Sequence, residues 1–262
     1  MASAAARTII QTIRAHKRLS AALALLALAG VILYAATRPP PILLPYGELR
    51  IAVDASYPPF AVATADDLWG IDIEIGRALG TRLGAPVRFV NMGFDGLYDA
   101  LRTDQVDIVL AALIPNAARR GQVRYTRAYF DAGLVLVGGL TRMEESPGRR
   151  IAYEFGSVGD QEVRRWQRLV EQPFMPLPYE LPQYALDAAR LGVADAALVD
   201  AVSVRLYLRE HAEWRPVLTP LTHTPYVIAV RLDRTTLFEA VDAALAEMLQ
   251  EGAIEAILRR YL

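Results

Sequence analysis

Five runs decide the fold: LRIAV at 49–53, IDIEIGRALGTRL at 71–83, VRFV at 87–90, GLYDALR at 96–102 and VDIVLA at 106–111. The first, third and fifth are short and rich in strand formers, as a strand buried on both faces is. The second places Ile71, Ile75, Ala78, Leu79 and Leu83 on one helical face, and the fourth is a shorter helical stretch. A β-α-β-α-β order joins parallel strands through helices that cover both faces, so an α/β fold is expected.

A second cycle begins with a strand at 150–155. Helices follow at 160–170 and around 184–191, then a strand at 196–199 and a helix at 201–210. The chain closes with a strand at 226–230 and helices at 236–250 and 253–261. Two cycles of this length favour two α/β lobes over one large sheet.

Of 262 residues, 53% are apolar or aromatic and 22% charged, which suits one or two lobes with a real core and excludes a disordered chain. Lys and Arg number 28 against 29 Asp and Glu, so there is no field to grip a phosphate backbone, and nucleic acid is not an expected partner. Cysteine is absent, which removes disulfides, thiolate metal sites and cysteine nucleophiles. His16, His211 and His223 are scattered, so neither a metal nor a cofactor is expected. Lys17 is the sole lysine, which excludes Schiff-base chemistry from the folded part.

Leu19 to Ala36 carries no charge and follows Arg7, Arg14, Lys17 and Arg18. As a helix it spans about 27 Å, close to the hydrocarbon thickness of a bilayer. The basic flank leads, so residues 1–18 are expected in the cytoplasm, 19–36 as a transmembrane signal-anchor and the rest outside the cell membrane. The alternative is a cleaved signal peptide with a site near Ala27-Leu28-Ala29. Residues 37–46, with Pro39, Pro40 and Pro41, read as an extended linker, and folding starts near Gly47.

Seven strings then become specific: VDASYPPF (53–60), WGIDIEIGRALGTRLG (69–84), FDGLYDALRTDQVDIVLAA (94–112), AYFDAGLVLV (128–137), IAYEFGSVGD (151–160), ADAALVD (194–200) and LAEMLQEGAIEAILRRYL (245–262). In order and spacing the chain resembles the bacterial extracellular solute-binding proteins of family 3. These are the polar amino-acid-binding proteins of ABC importers, with a type II periplasmic-binding fold. The resemblance covers nearly everything after Pro45. It implies a discontinuous first lobe, 47–133 plus 224–262, a second lobe, 134–223, and two extended crossovers as hinges. The expected fold class is thus a two-lobed α/β periplasmic-binding fold preceded by a transmembrane helix.

The resemblance also implies a site and a role. Arg119 aligns with the arginine that holds a ligand α-carboxylate, and Asp200 with the carboxylate that receives the α-ammonium. Asp200 also reads as a helix cap. Tyr57 and Phe94 align with an aromatic shelf for the ligand side chain, and Ala112 belongs to the same site. Ile114 and Val158 stand where hydroxyls are usual, while Ser157 keeps one. Asp54 and Glu154 add carboxylates near the side chain, although Glu154 reads equally as an outward strand residue. The implied function is capture of a small polar or basic amino acid for an ABC permease, without catalysis. Two alternatives are a cyclohexadienyl-dehydratase-like enzyme, with Glu154 as general acid, and a ligand-sensing domain for a signalling partner.

Overall fold

The computed structural model describes residues 43–65, 67–142, 145–169 and 174–262. The expected transmembrane segment, 19–36, lies outside them. Among the described residues no helix is long and apolar enough to cross a membrane. Leu43–Leu262 forms a single compact unit.

In chain order the first lobe contributes β1 (Leu49–Val53), a hairpin of β2 (Ser56–Tyr57), β3 (Ala61–Ala63) and β4 (Leu68–Trp69), then α1 (Ile71–Arg82), β5 (Val87–Asn91) and α2 (Leu97–Arg102). It continues with β6 (Ile108–Leu113), β7 (Val123–Tyr125) and β8 (Phe130–Asp131). The chain then crosses to β9 (Leu134–Gly138), β10 (Arg150–Glu154), α3 (Val158–Gln167), β11 (Met175–Tyr179), α4 (Pro182–Arg190), β12 (Ala196–Asp200), α5 (Ala201–Glu210) and β13 (Leu218–Pro220). It returns as β14 (Pro225–Arg231), α6 (Thr235–Gln250) and α7 (Ala253–Tyr261).

Two sheets result. One has the order β5-β1-β6-β14-β7, with β8 also on β14, and the other runs β11-β10-β12-β9-β13. Each departs from the all-parallel reading: β14 is antiparallel to β6, β7 and β8, and β9 is antiparallel to β12 and β13. The reason is connectivity, since β9 and β14 follow extended crossovers rather than helices, and nothing turns the chain back to a parallel start. The short strands β7, β8 and β13 gave no periodic signal in the sequence because two or three residues are too few to show one.

Strand alternation builds the cores. On β1, Leu49, Ile51 and Val53 enter one core of the first lobe with Ile73, Leu79, Leu245 and Ile257, while Ala52 enters the core on the other face with Leu97 and Leu101. On β6, Ile108 and Leu110 take the first face and Val109, Ala111 and Leu113 the second. The second lobe repeats this, with α4 and α5 on one face of its sheet and Val163 and Trp166 of α3 on the other. At the outer edge, Met175 N donates to Arg149 O, and Pro176 and Pro178 occupy the alternate positions of β11.

The crossovers touch. A Cβ on Gly133 would sit 1.9 Å from the backbone oxygen of Thr222, so only glycine allows the two crossovers to lie side by side. We expect Gly133→Ala to lower stability by about 2 kcal/mol or more, the usual cost of forcing atoms into packed backbone. Gly121→Ala, where a Cβ meets nothing within 4 Å, serves as the control and should be near neutral in the same urea titration.

Candidate functional site

The expected site residues fall at the C-terminal edges of parallel strands in both lobes, where open α/β sheets leave a crevice. In the first lobe Asp54 follows β1, and Ala112 and Ile114 lie at the end of β6. There the register of β14 against β6 slips between Val227 and Ala229, and Ala112 takes a left-handed conformation with φ 46°. A non-glycine residue pays strain to sit there. Its N–H is held in place by a buried acceptor set: it donates to Asp72 Oδ2 at 2.8 Å and to the Tyr129 hydroxyl at 3.1 Å, while that hydroxyl donates to Asp72 Oδ1 at 2.8 Å.

A recess of about 280 Å³ opens beside this bend, lined by Asp54, Ser56, Tyr57, Phe94, Ala111, Ala112, Ile114 and Tyr226. Five expected residues are thus brought together: Asp54, Tyr57, Phe94, Ala112 and Ile114. Asp54 Oδ1 accepts from the Ser56 N–H at 3.1 Å and the Ser56 hydroxyl at 2.6 Å, so both bonds fall on one oxygen. Tyr57 stacks on Phe60 at 5.6 Å between centroids, and its hydroxyl lies 3.2 Å from that of Tyr226. Sequence reading missed Tyr226, which reaches the recess only because β14 returns from a distant part of the chain; no local pattern marks it.

Arg119 does not line this recess. It ends a short 3-10 turn, 117–119, capped by Asn116, whose side chain accepts from Ala118 N at 2.9 Å. The guanidinium lies 5.0 Å over the ring of Tyr98 on α2 and donates to Gln122 Oε1 at 3.2 Å. Tyr98 and Tyr125 share a 2.9 Å hydroxyl contact, and Asn116 N donates to Tyr125, which fastens the turn to α2 just after Phe94–Gly96.

In the second lobe Glu154 ends β10 and Asp200 ends the neighbouring parallel strand β12. Burial, then the charge of Asp200, raises the Glu154 carboxyl above its ordinary value. Asp200 is the N-cap of α5, accepting from Ser203 N at 2.9 Å and from the Ser203 hydroxyl at 2.6 Å. Ser157 caps α3, accepting from Asp160 N, and donates its hydroxyl to Glu154 O at 2.7 Å, so its side chain is committed to backbone. Val158 is exposed. The halves sense each other: burial, the Tyr57 contact and then the charge of Asp200 raise the Tyr226 hydroxyl well above its usual range. Among the described residues no Arg, Lys or His pairs with Asp54, Glu154 or Asp200, and no three side chains are grouped to hold a metal.

Two large sheets with separate cores, joined by paired crossovers, define a two-lobed protein. The chain belongs to the bacterial extracellular solute-binding proteins, family 3, which residues 49–262 match. It is 26% identical over 223 residues to the putative ABC transporter arginine-binding protein 2 of Escherichia coli (strain K12), covering 81% of this chain and 90% of that protein. An ancestral cationic amino acid solute-binding protein shares 25% identity, with a TM-score of 0.58 over 82% of this chain and 95% of its own. The L-cystine solute receptor of Neisseria gonorrhoeae shares the fold at 19% identity, with a TM-score of 0.70 over 84% of this chain and 94% of that one.

The buried Asp72 yields a pH prediction. Burial pushes its carboxyl up to about 7, against the opposing pull of the Tyr129 and Ala112 hydrogen bonds. The folded state therefore keeps a proton that the unfolded state has released, so stability falls as pH rises from about 4 through 7 and is level above. The upper bound on that loss is about 4 kcal/mol. Asn cannot ionise; its carbonyl oxygen can accept from Ala112 N while its amide N–H donates to the Tyr129 hydroxyl, reversing that bond. Asp72→Asn should lose less melting temperature than wild type between pH 4 and 7.5, by differential scanning fluorimetry; parallel curves would refute the assignment.

Proposed function

We propose that the domain captures a cationic amino acid between its lobes and presents it to an ABC importer, without chemical conversion. The observation that carries this reading is that Asp54, Glu154 and Asp200, at strand ends of the two lobes, make no ion pair among the described residues, with Asp54 in the recess that Tyr57, Phe94 and Tyr226 line. Rings bind an alkyl stem and a planar cation on their faces, and carboxylates supply the charge. In this reading Asp200 takes the α-ammonium, and Asp54 and Glu154 take the side-chain cation. Arg119 turns from Gln122 to take the α-carboxylate through two N–H donors. Ile114 and Val158 offer no hydroxyl, so backbone N–H groups complete the carboxylate contacts. Arginine is the first candidate, in line with the name borne by the Escherichia coli relative described above.

In the same reading 47–133 with 224–262 and 134–223 are the bodies that close on the ligand, and 19–36 anchors the protein with its folded domain outside the membrane. Carbonate-washed membranes should retain the native protein, and a mature N-terminus at or after Gly30 would instead mark a cleaved signal.

The ligand test is a calorimetric screen of the standard amino acids with ornithine and citrulline. Arginine, lysine or ornithine should bind and glutamate and aspartate should not. Removing one partner of a buried ionic contact costs about 3 to 5 kcal/mol, so Arg119→Ala and Asp200→Asn should each weaken binding by roughly a hundredfold to several-thousandfold. Asn caps helices as well as Asp does, so a loss in Asp200→Asn with an unchanged melting temperature separates binding from folding. Tight binding of glutamate would overturn the side-chain assignment.

A further inference from the structure

Helix α5 is shared by both lobes. Its Val204 and Tyr207 lie in the core of the second lobe, while Ala201, Val202 and Leu206 pack against the core of the first. Its N-cap is Asp200, in the candidate site. Farther along, Arg205 Nη1 and Nη2 donate to Glu255 of α7 at 3.3 to 3.4 Å, and Arg209 Nη1 donates to Tyr261 O at 2.6 Å. Helix α7 is part of the first lobe, with Ile254, Ile257 and Leu258 in its core. Both arginines therefore reach from one lobe to the other.

Arg205 also stands beside the hinge. It lines a cavity of about 280 Å³ together with Asp131, Gly133, Thr222 and His223 of the two crossovers. Along the helix axis it lies about 7 Å beyond Asp200, and Arg209 about 13 Å. One rigid element thus carries a candidate ligand contact at one end and interlobe contacts, away from the cleft, at the other.

We propose that Arg205–Glu255, supported by Arg209, is an interlobe latch that sets how tightly the cleft binds although neither residue touches ligand. The inference rests on the clamp reading above. In this structure the cleft is open: Tyr57, Phe94 and Ile114 on one wall and Phe155 and Val158 on the other are between 46% and 64% exposed. Closure turns the second lobe about the crossovers, and α5, fixed to β12 through its cap and its core residues, must turn with it against α7. Contacts made in the open arrangement and lost on closing hold the open state and subtract from apparent affinity. Arg205 and Asp200 are parts of one lever, and Arg205 is a positioning residue for the site.

An exposed ion pair is weak, so the test uses charge reversal and its rescue. Glu255→Arg places two guanidinium groups face to face and should favour the closed arrangement. Small-angle scattering of the protein without amino acid should then give a smaller radius of gyration than wild type. Arginine should bind about five times more tightly, the effect of about 1 kcal/mol of like-charge repulsion relieved by closure. The swap Arg205→Glu with Glu255→Arg should restore both values. Glu255 also accepts from Arg259 at 3.2 Å, so Arg259→Ala is the control and should leave both unchanged. A folded Glu255→Arg protein with wild-type dimensions, or a swap that restores nothing, would overturn the latch. Because the scattering arm uses no ligand, it decides the latch even if arginine fails to bind, which would count against the proposed function alone.

Discussion

Each lobe has its own sheet and its own pair of cores, and a carboxylate at the seam lets one chain serve both. Asp131 Oδ1 accepts from Gly133 N on its own crossover and from Thr224 N on the other, while Oδ2 meets the His223 ring at 2.6 Å. Thr222 repeats the motif in reverse, its hydroxyl accepting from Leu134 N. Burial works against the charge, yet the His223 ring and the Thr224 and Gly133 N–H groups hold the Asp131 carboxyl below the ordinary carboxylate range. Side-chain bonds of this kind fix the spacing of two extended segments without knitting them into a wide sheet.

The site inherits its chemistry from this arrangement. A carboxylate at the end of a buried strand is partly desolvated by the sheet behind it, as the raised Glu154 carboxyl records. Asp200, at the end of the neighbouring strand, adds repulsion to it. The strand ends of the first lobe add rings and short side chains beside Asp54, and the bend at Ala112 keeps that wall in place through a buried acid that never meets solvent.

Much of this was legible in the sequence because alternation and helical period are local. The runs at 49–53, 71–83 and 106–111 read correctly since each side of the sheet is buried and each residue has one allowed face. Family-like strings located Asp54, Tyr57, Phe94, Ala112 and Ile114, which one recess brings together. What stayed hidden is what depends on distant partners. Tyr226 enters the recess from β14, Asp72 reads in sequence as an ordinary acid in the first turn of a helix although it is fully buried, and the latch joins residues fifty positions apart. The antiparallel strands escaped because direction within a sheet is set by crossovers, which carry no periodic signature.

The prolines of β11 have a consequence for how copies of the protein meet one another. Met175 N points inward to Arg149, so the N–H groups of the alternate residues would face outward, and those residues are Pro176 and Pro178. The free edge of that sheet therefore offers carbonyls without the donors a neighbouring strand needs. Exposed strand edges invite edge-to-edge pairing into aggregates wherever many copies of a sheet protein meet. Two missing hydrogens on one strand guard against that outcome at no expense to the cleft on the adjoining face.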